Sequence, residues 1–396
     1  MHKRIVFHLA IIFLFSLISC SDRKQLSGNP YSDEVIAFKY NGKYGLIDSE
    51  RNVIASTYGH TMVSEISRKY VLWKENSDSN EFSILNSTGK KLFTLQAMTG
   101  YESWISQNFL FMSTYDDYNN ESYTMLEIPS FKVHAIPTTS RYITDMFCTL
   151  FSNEDSKFPI ALIDWKQNPQ KAAYYTADMK REIDVPFAVQ HLMPMVDDAA
   201  IIVTEDFELV VIDCTGSVIV KDVWDCGWNF TEGLLPVKLR DRSGFINNKG
   251  EFVFECPISL DYYGYEQAPK GTPNLKCSFC EGLAYVPVSK TEWNVYDKEG
   301  VCLAEGLKFL PRTGSVFRDG LLCVHDKDGS QKYGYIDKYG KLIIPCIFTD
   351  AEDFRGGYAI VVYNEKDALV DTKGNLYYTA DIMTGNKDFA LSVKTE

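Results

Sequence analysis

Along this chain the apolar residues come in short runs, and one polar phrase keeps closing them: Asp or Asn, two further residues, then Gly, then another apolar run. It reads Val210-Val211-Ile212-Asp213-Cys214-Thr215-Gly216, Gly244-Phe245-Ile246-Asn247-Asn248-Lys249-Gly250, Gly334-Tyr335-Ile336-Asp337-Lys338-Tyr339-Gly340 and Ala368-Leu369-Val370-Asp371-Thr372-Lys373-Gly374, with copies ending at Gly89 and Gly300. Looser copies centre on Asp48 and Asp164, and a faint one lies near Glu127. Asp or Asn opening a type I turn accepts backbone N–H groups two residues on, and Gly at the fourth position supplies the positive φ that closes two right-twisted strands. Each copy therefore predicts a strand, a tight turn and a second strand.

A second phrase precedes the turn in the C-terminal half: Phe230-Thr231-Glu232-Gly233-Leu234, Phe279-Cys280-Glu281-Gly282-Leu283, Phe317-Arg318-Asp319-Gly320-Leu321 and Phe354-Arg355-Gly356-Gly357-Tyr358. Each opens an apolar run such as Leu321-Leu322-Cys323-Val324, which predicts the strand entering the hairpin. One unit is then an entry strand behind a Gly-containing link, the hairpin, and a tail like Ile343-Ile344-Pro345-Cys346-Ile347-Phe348. The units recur about every 40 residues, the size of stacked β-repeats. Individual steps run from 34 residues, Asp213 to Asn247, to 50 residues, Asn247 to Asp297, so the variation sits in loops.

Together these phrases resemble the bacterial WG-repeat (KWG-repeat) family, whose units read Lys-Trp-Gly-hydrophobic-Ile-Asp-x-x-Gly-Lys, an aliphatic run, Pro, and a later Phe-x-Glu-Gly-Leu. Lys332-Tyr333-Gly334-Tyr335-Ile336-Asp337-Lys338-Tyr339-Gly340-Lys341-Leu342-Ile343-Ile344-Pro345 is the fullest copy, and Lys43-Tyr44-Gly45-Leu46-Ile47-Asp48 opens another. The tryptophan position holds Tyr44, Ser243 and Tyr333; where Trp293 occupies it, the glycine has become Asn294. The resemblance covers residues 35–380, degenerate over 60–200 and clearer over 205–380. It implies a repeat scaffold and carries no catalytic residues with it.

At the N-terminus Lys3 and Arg4 precede an apolar run from Ile5 to Ile18, ending in Leu17-Ile18-Ser19-Cys20. That run is too short to span a bilayer as a helix, which needs about 20 residues. It resembles a bacterial lipoprotein signal, with Cys20 the lipidated mature N-terminus; the alternative is an ordinary secretory signal with a coincidental cysteine. The expected layout is a signal peptide over 1–19, a lipidated flexible tether over 20–34, the β-repeat domain over 35–380 and a tail over 381–396. Ser21 follows the cysteine, so no Asp retention signal for the inner membrane is present and the outer membrane is the expected location.

Removing the signal leaves 38 of the 40 basic residues against all 53 acidic ones, a formal charge of −15. No unit carries the basic stripe that counterion release from nucleic acid requires, which excludes nucleic acid as an expected partner. Beyond Cys20 nine cysteines remain, an odd number that rules out a fully paired disulfide framework. Cys277-Ser278-Phe279-Cys280 has redox or metal spacing, but Cys280 falls in the variable slot of the Phe-x-Glu-Gly phrase, which favours a structural or disulfide role. Cys256 and Cys346 occupy equivalent slots of two units and read as packing.

No nucleophile elbow, zinc-protease motif, P-loop or dinucleotide fingerprint occurs. His60, His134, His191 and His325 fall in different units, and Asp326-Lys327-Asp328-Gly329 lacks the later carboxylates of a calcium loop. No catalytic residue, metal ligand or cofactor is expected. One insertion stands out: Asp261-Tyr262-Tyr263-Gly264-Tyr265-Glu266-Gln267-Ala268-Pro269-Lys270-Gly271-Thr272-Pro273 lies in the longest step, and its tyrosines either cap the repeat core or contact a sugar or protein partner. Tyr115-Asp116-Asp117-Tyr118-Asn119-Asn120-Glu121 is a weaker loop of the same kind.

The expectation is an all-β protein of about nine units, curled into a propeller-like ring or an open β-superhelix. The expected function is a membrane-anchored cell-envelope scaffold that binds a protein or glycan partner without catalysis. The competing class is a hydrolase-like envelope enzyme whose carboxylates converge on one rim of the repeat domain.

Overall fold

The computed structural model describes residues 34–393 apart from 57–63, 66–68, 74–80, 97–101, 107–108, 116–120, 129, 137–141, 144–156, 165–170, 181, 261–270, 272 and 327–330. The lipidation cysteine Cys20 and the loop tyrosines Tyr262, Tyr263 and Tyr265 lie outside the described residues.

The strands pair antiparallel into nine small sheets in chain order, over residues 36–56, 64–96, 102–136, 142–184, 189–223, 225–255, 283–307, 310–348 and 350–392. Within each sheet sequence neighbours are hydrogen-bonded neighbours, so every unit is a meander. The sixth shows the pattern: a two-residue first strand Asp225–Cys226, the entry strand Leu235–Lys238, then Ser243–Ile246 and Phe252–Glu255. Entry strands are buried almost throughout, whereas the last strand alternates between half-buried and exposed, which puts it at the outer rim.

The Asp-x-x-Gly phrase makes the predicted turn. In the eighth sheet Gly340 N–H donates to the Asp337 carbonyl at 3.0 Å, and Asp337 Oδ1 accepts from Tyr339 N and Lys341 N at 2.9 Å each. Asp371 does the same with Lys373 N and Asn375 N, at 2.9 and 2.8 Å. Gly340 and Gly374 hold φ of +74° and +78°. A register shift follows the turn, for example between Tyr335 and Ile336, as a type I turn with a left-handed glycine bulge requires. Asp164 departs from the expectation. It ends the entry strand Ile160–Asp164, and the corresponding turn of the fourth sheet is Thr176-Ala177-Asp178-Met179, with Met179 at φ +59° in the glycine slot.

The Phe-x-Glu-Gly phrase is a tighter element than a link. Thr231 and Leu234 exchange both backbone hydrogen bonds, at 2.9 and 3.1 Å, while Glu232 and Gly233 stand at φ +52° and +81°. Two successive positive φ values define a type I′ hairpin turn. Its carboxylate then reaches the next unit: Glu232 Oε2 accepts from Gly282 N at 2.9 Å, Glu281 Oε2 from Gly320 N at 3.0 Å and Asp319 Oδ2 from Gly357 N at 2.8 Å. Asp197, in the same slot of Val196-Asp197-Asp198-Ala199, accepts from Gly233 N at 2.8 Å. The phrase thus couples neighbouring sheets through a charge-assisted bond.

Among the described residues one apolar cluster fills each interface between successive sheets. Val295 and Trp293 of the seventh sheet pack with Leu322 and Val324 of the eighth, and Cys323 and Tyr335 of the eighth with Ala359 and Val361 of the ninth. The same holds back to the first and second sheets, where Leu46 meets Val71 and Trp73. A further cluster joins Leu369 and Tyr377 of the ninth sheet to Ile36 and Phe38 of the first. Nine sheets with nine filled interfaces form a closed, propeller-like ring, which decides between the two expected arrangements. Each fully buried Ile, Leu or Phe contributes about 1.5–3 kcal/mol, so the last interface alone is a substantial reason to close.

Polar contacts finish the seam. Arg51 occupies the glycine slot of the first sheet's turn, at φ +63°. Its Nε donates to the Lys387 carbonyl at 2.8 Å, Nη1 to Tyr358 Oη at 2.7 Å, Nη2 to Asp388 Oδ1 at 3.3 Å, and its guanidinium lies 4.2 Å from the Tyr377 ring centre. Glu34 Oε2 accepts from Gly356 N at 2.9 Å. The ninth sheet has Gly356 where the fifth to eighth sheets carry the reaching carboxylate, so here the first sheet supplies it and the bond runs in the reverse sense.

The seam gives a graded test. Arg51→Ala removes these contacts and keeps the left-handed strain, whereas Arg51→Gly removes the contacts and sheds about 1 kcal/mol of strain. Both variants are expected to lower the denaturant midpoint, Ala more than Gly, with hydrogen exchange rising first over 36–56 and 386–392. A Gly variant with unchanged exchange in those segments would remove Arg51 from the closure.

Candidate functional site

Because strands alternate in direction, the ring has two faces of different character. The Phe-x-Glu-Gly and Asp-x-x-Gly turns all lie on one, the turn face. The hairpins joining entry strands to their successors, and the links between sheets, lie on the other, the hairpin face.

The aspartates that form the Asp-x-x-Gly turns are bonded to backbone. Asp48, Asp213, Asp297, Asp337 and Asp371 each accept two turn N–H groups through Oδ1. The Thr215 hydroxyl and two backbone N–H groups hold the Asp213 carboxyl below its usual range against the opposing effect of burial. Such groups are turn formers.

The hairpin face is different at the sixth sheet. Lys238, Leu239, Arg240, Asp241, Arg242 and Ser243 form one wall of an open cleft, and Glu255, Cys256 and Pro257 form the other; its volume is about 460 Å³, within the range of small-ligand sites. Arg242 Nη2 pairs with Glu255 Oε1 at 2.7 Å across it, and its guanidinium stacks 3.9 Å from the Phe252 ring centre. Lys238 Nζ donates to the Ile258 carbonyl at 2.8 Å. Ser243, in the slot where the repeat has an aromatic residue, uses its hydroxyl instead: Oγ donates to the Cys256 carbonyl at 2.8 Å and accepts from Ile258 N at 3.2 Å. Arg240 and Asp241 are exposed at the hairpin tip.

Trp224 precedes the first strand of this sheet, and its backbone N–H donates to the Lys238 carbonyl at 2.8 Å. Its side chain is 70% exposed, more than any other large hydrophobic residue among the described ones. An indole left in water contrasts with Trp73 and Trp293, which are buried. Nothing in the chain's patterning marks Trp224, since it sits in a link outside both repeated phrases. Phe207, also exposed, lies in the corresponding hairpin of the fifth sheet.

The tyrosine insertion is anchored on the same face at both ends. It leaves through Cys256, Pro257 and Ile258, and its tyrosines fall within 261–270, outside the described residues. It returns with Leu275 N donating to the Cys226 carbonyl at 3.1 Å and Asn274 N to Asp225 Oδ1 at 2.8 Å. Asp225 also accepts from Cys226 N at 2.7 Å, yet burial outweighs both donors and pushes its carboxyl up to about 6.

The other candidates separate. Cys277 and Cys280 are buried free thiols, as are Cys226, Cys256 and Cys323, and burial pushes the Cys256 thiol up to about 12. Cys280 bridges to Leu283 inside its type I′ turn, a packing role. Cys346 is half-buried in the rim strand Leu342–Phe348. His134 lies 3.1 Å from Glu127, His191 and His325 occupy the fifth and eighth sheets, and His60 is outside the described residues. Tyr115–Glu121 and Asp326–Gly329 are only partly described. Among the described residues no group of three His, Cys, Asp or Glu side chains is placed to hold a metal ion, and no helix is long and apolar enough to cross a membrane.

Residues 333–366 match the family model of the WG containing repeat. No curated protein matches the sequence. A solved structure of a eukaryotic initiation factor aligns over 92% of this chain and 94% of its own, with a TM-score of 0.54 at 11% identity. An uncharacterized protein from Listeria monocytogenes aligns over 88% and 94% with a TM-score of 0.42 at 10% identity, and BamB from Moraxella catarrhalis over 87% and 90% with 0.29 at 11%. The likeness to the initiation factor is one of fold.

Proposed function

We propose that this WG-repeat protein is a lipid-anchored scaffold of the bacterial cell envelope, held at the outer membrane through Cys20, that binds a protein or glycan partner on its hairpin face without turning it over. The observation that carries the reading is Trp224, exposed on this face with its backbone N–H bonded to the carbonyl of Lys238, a residue of the cleft that Arg240 and Arg242 also line. Rigid strands holding exposed aromatic and polar side chains on loops suit recognition. The bonding of the turn-forming aspartates to backbone N–H groups argues against the hydrolase-like alternative, as does the pairing of Glu255 with Arg242.

Anchoring and binding are tested apart. Cys20→Ser is expected to block processing at residue 19 and to release the protein from membranes; a variant still cleaved there and still sedimenting with membranes would end the lipoprotein reading. Two acyl chains or more at ~0.8 kcal/mol per buried CH₂ are needed for stable anchoring, so loss of the thiol should be decisive. Replacing Tyr262, Tyr263 and Tyr265 together by Ala is expected to weaken partner or glycan capture while leaving the denaturant midpoint unchanged. A collapsed midpoint would instead make them part of the core.

A further inference from the structure

We propose that the pocket where the ring closes, between the hairpin of the first sheet and the helix that follows the ninth, takes a single aromatic ring carrying a carboxylate. It is separate from the sixth-sheet cleft and independent of what binds there.

The pocket exists because a repeat hairpin meets an element that no other described unit has. In the first sheet Phe38 faces Gly45, Lys39 faces Tyr44 and Tyr40 faces Lys43. Asn41 and Gly42 join the two strands at φ +49° and +75°, as a type I′ turn. Asn41 N donates to Asp367 Oδ2 at 3.0 Å, which ties the hairpin to the ninth sheet. A Cβ at Gly45 would run into the Phe38 ring, so the glycine gives that ring its place. The unmatched element is the helix Thr379–Met383, the only one among the described residues. Its Thr379 Oγ1 donates to the Asp367 carbonyl at 3.0 Å, and its Ile382 is buried in the cluster that joins the first and ninth sheets. Met383 is left partly exposed and closes one side of the pocket.

Size and lining select a ring. Phe38, Tyr40, Tyr44 and Met383 line a volume of about 110 Å³. An apolar cavity of about 150 Å³ binds benzene, whereas drug-sized ligands occupy about 300–1,000 Å³, so one ring fits and a second does not. Three aromatic side chains and a polarizable thioether are favourable neighbours for it.

Charge selects the substituent. The remaining lining residues are Asn41, Lys43 and Ser56, so the one charged residue of the lining is a cation. Lys39 adds a second positive charge nearby, its Nζ 5.9 Å from the Tyr44 ring centre. The carboxylates whose field reaches Tyr44 stand outside the lining. Asp367 is bonded to Asn41 N, Asp350 Oδ1 accepts from Ala351 N at 2.9 Å, and burial raises the Glu352 carboxyl toward its neutral form. A ligand carboxylate at the mouth therefore meets an ammonium, an amide and a hydroxyl, all able to donate. A ligand ammonium would be set against Lys43. A free aromatic acid and the C-terminal aromatic residue of a peptide present the same group.

The test is fluorine NMR of para-fluorophenylacetate with the full-length protein in detergent, read against detergent alone. The matching benzyl alcohol and benzylamine serve as neutral and cationic probes. Saturable binding of the acid is expected, with the alcohol about tenfold weaker and the amine not binding. Lys43→Met keeps the apolar stem, and is expected to weaken the acid about tenfold while leaving the alcohol unchanged. Ser56→Trp, at the exposed end of its strand, is expected to fill the pocket and abolish binding of both, whereas Tyr339→Ala on the turn face changes neither. Met383→Ala trims the wall without filling it and is expected to weaken both probes, which keeps the test valid should Ser56→Trp lower the denaturant midpoint. Acetyl-Gly-Phe competing more tightly than the acid would assign the group to a peptide C-terminus, and weaker competition to a free acid. Amine binding as tight as that of the acid would overturn the carboxylate. Acid binding that is absent from the parent protein, or unchanged in both Ser56→Trp and Met383→Ala, would overturn the site.

Discussion

Gly334→Ala is expected to destabilise this protein by about 3 kcal/mol, at the upper end of single-substitution effects. The glycine belongs to the Lys-Tyr-Gly phrase, and its role is steric. The strand Tyr333–Asp337 pairs with Leu342–Phe348 so that Tyr333 faces Phe348 and Tyr335 faces Ile344, leaving a bulge opposite Gly334. A Cβ there would lie 2.5 Å from the Ile344 carbonyl oxygen and 2.7 Å from Pro345 C and Cys346 N. These are main-chain atoms that cannot swing aside. Gly320→Ala is the contrast: it has φ +77° with nothing near its missing Cβ, so the change should cost only about 1 kcal/mol of left-handed strain. Equal denaturant midpoints for the two variants would mean that the bulge does not press on Gly334. The seventh sheet meets the same crowding differently. There Asn294 takes the slot, and its partner strand carries Gly306 at φ +62°, whose N–H donates to Asn294 Oδ1 at 3.0 Å.

Asp225→Asn is expected to stabilise the protein at neutral pH by about 2–3 kcal/mol, the equivalent of the carboxyl's displacement from its model value of 3.8 to about 6. The side chain is 6% exposed at the inner edge of the sixth sheet. Because its folded value is raised, the folded state holds the proton more tightly than the unfolded chain does. Stability from this site is therefore complete below about pH 4 and lost as pH rises through about 6. An amide oxygen would accept the same N–H groups of Cys226 and Asn274 without a buried charge. Denaturation midpoints of the two proteins should coincide near pH 3.5 and diverge by pH 7. Parallel curves across that range would show that Asp225 ionises in the folded protein without penalty.

Much of the architecture was legible in the sequence because its signals are local. Asp337 and Gly340 announce a turn wherever they stand, since the carboxylate bonds within five residues and the glycine answers a backbone angle at its own position. The type I′ turn was half legible: Glu232-Gly233 marked a break, but the two-residue strand Asp225–Cys226 before it is too short to show periodicity. What Glu232 bonds to was hidden altogether, because Gly282 lies 50 residues away in the next unit. Arg51 was hidden for the opposite reason. It replaces the glycine that patterning seeks, and its partners Tyr358, Lys387 and Asp388 come from the far end of the chain. Asp164 misled because an Asp after an apolar run fits either end of a strand pair. In the candidate site, the tyrosine insertion has both its anchors on the hairpin face, while Trp224 and Arg240 follow no repeat and leave no mark. A misplaced aromatic becomes informative only when its exposure is known.

The polarity of the first entry strand decides how the ring would stand on a bilayer. Ile36–Tyr40 begins beside Glu34 on the turn face and runs toward the hairpin face. A chain arriving from an acylated Cys20 therefore meets the ring on the turn face. The 13 residues from Ser21 to Asp33 reach at most about 45 Å when fully extended. On the anchored reading, the face of the Asp-x-x-Gly turns would look down at the lipid headgroups. The cleft of the sixth sheet would open away from them, toward whatever lies beyond the membrane surface.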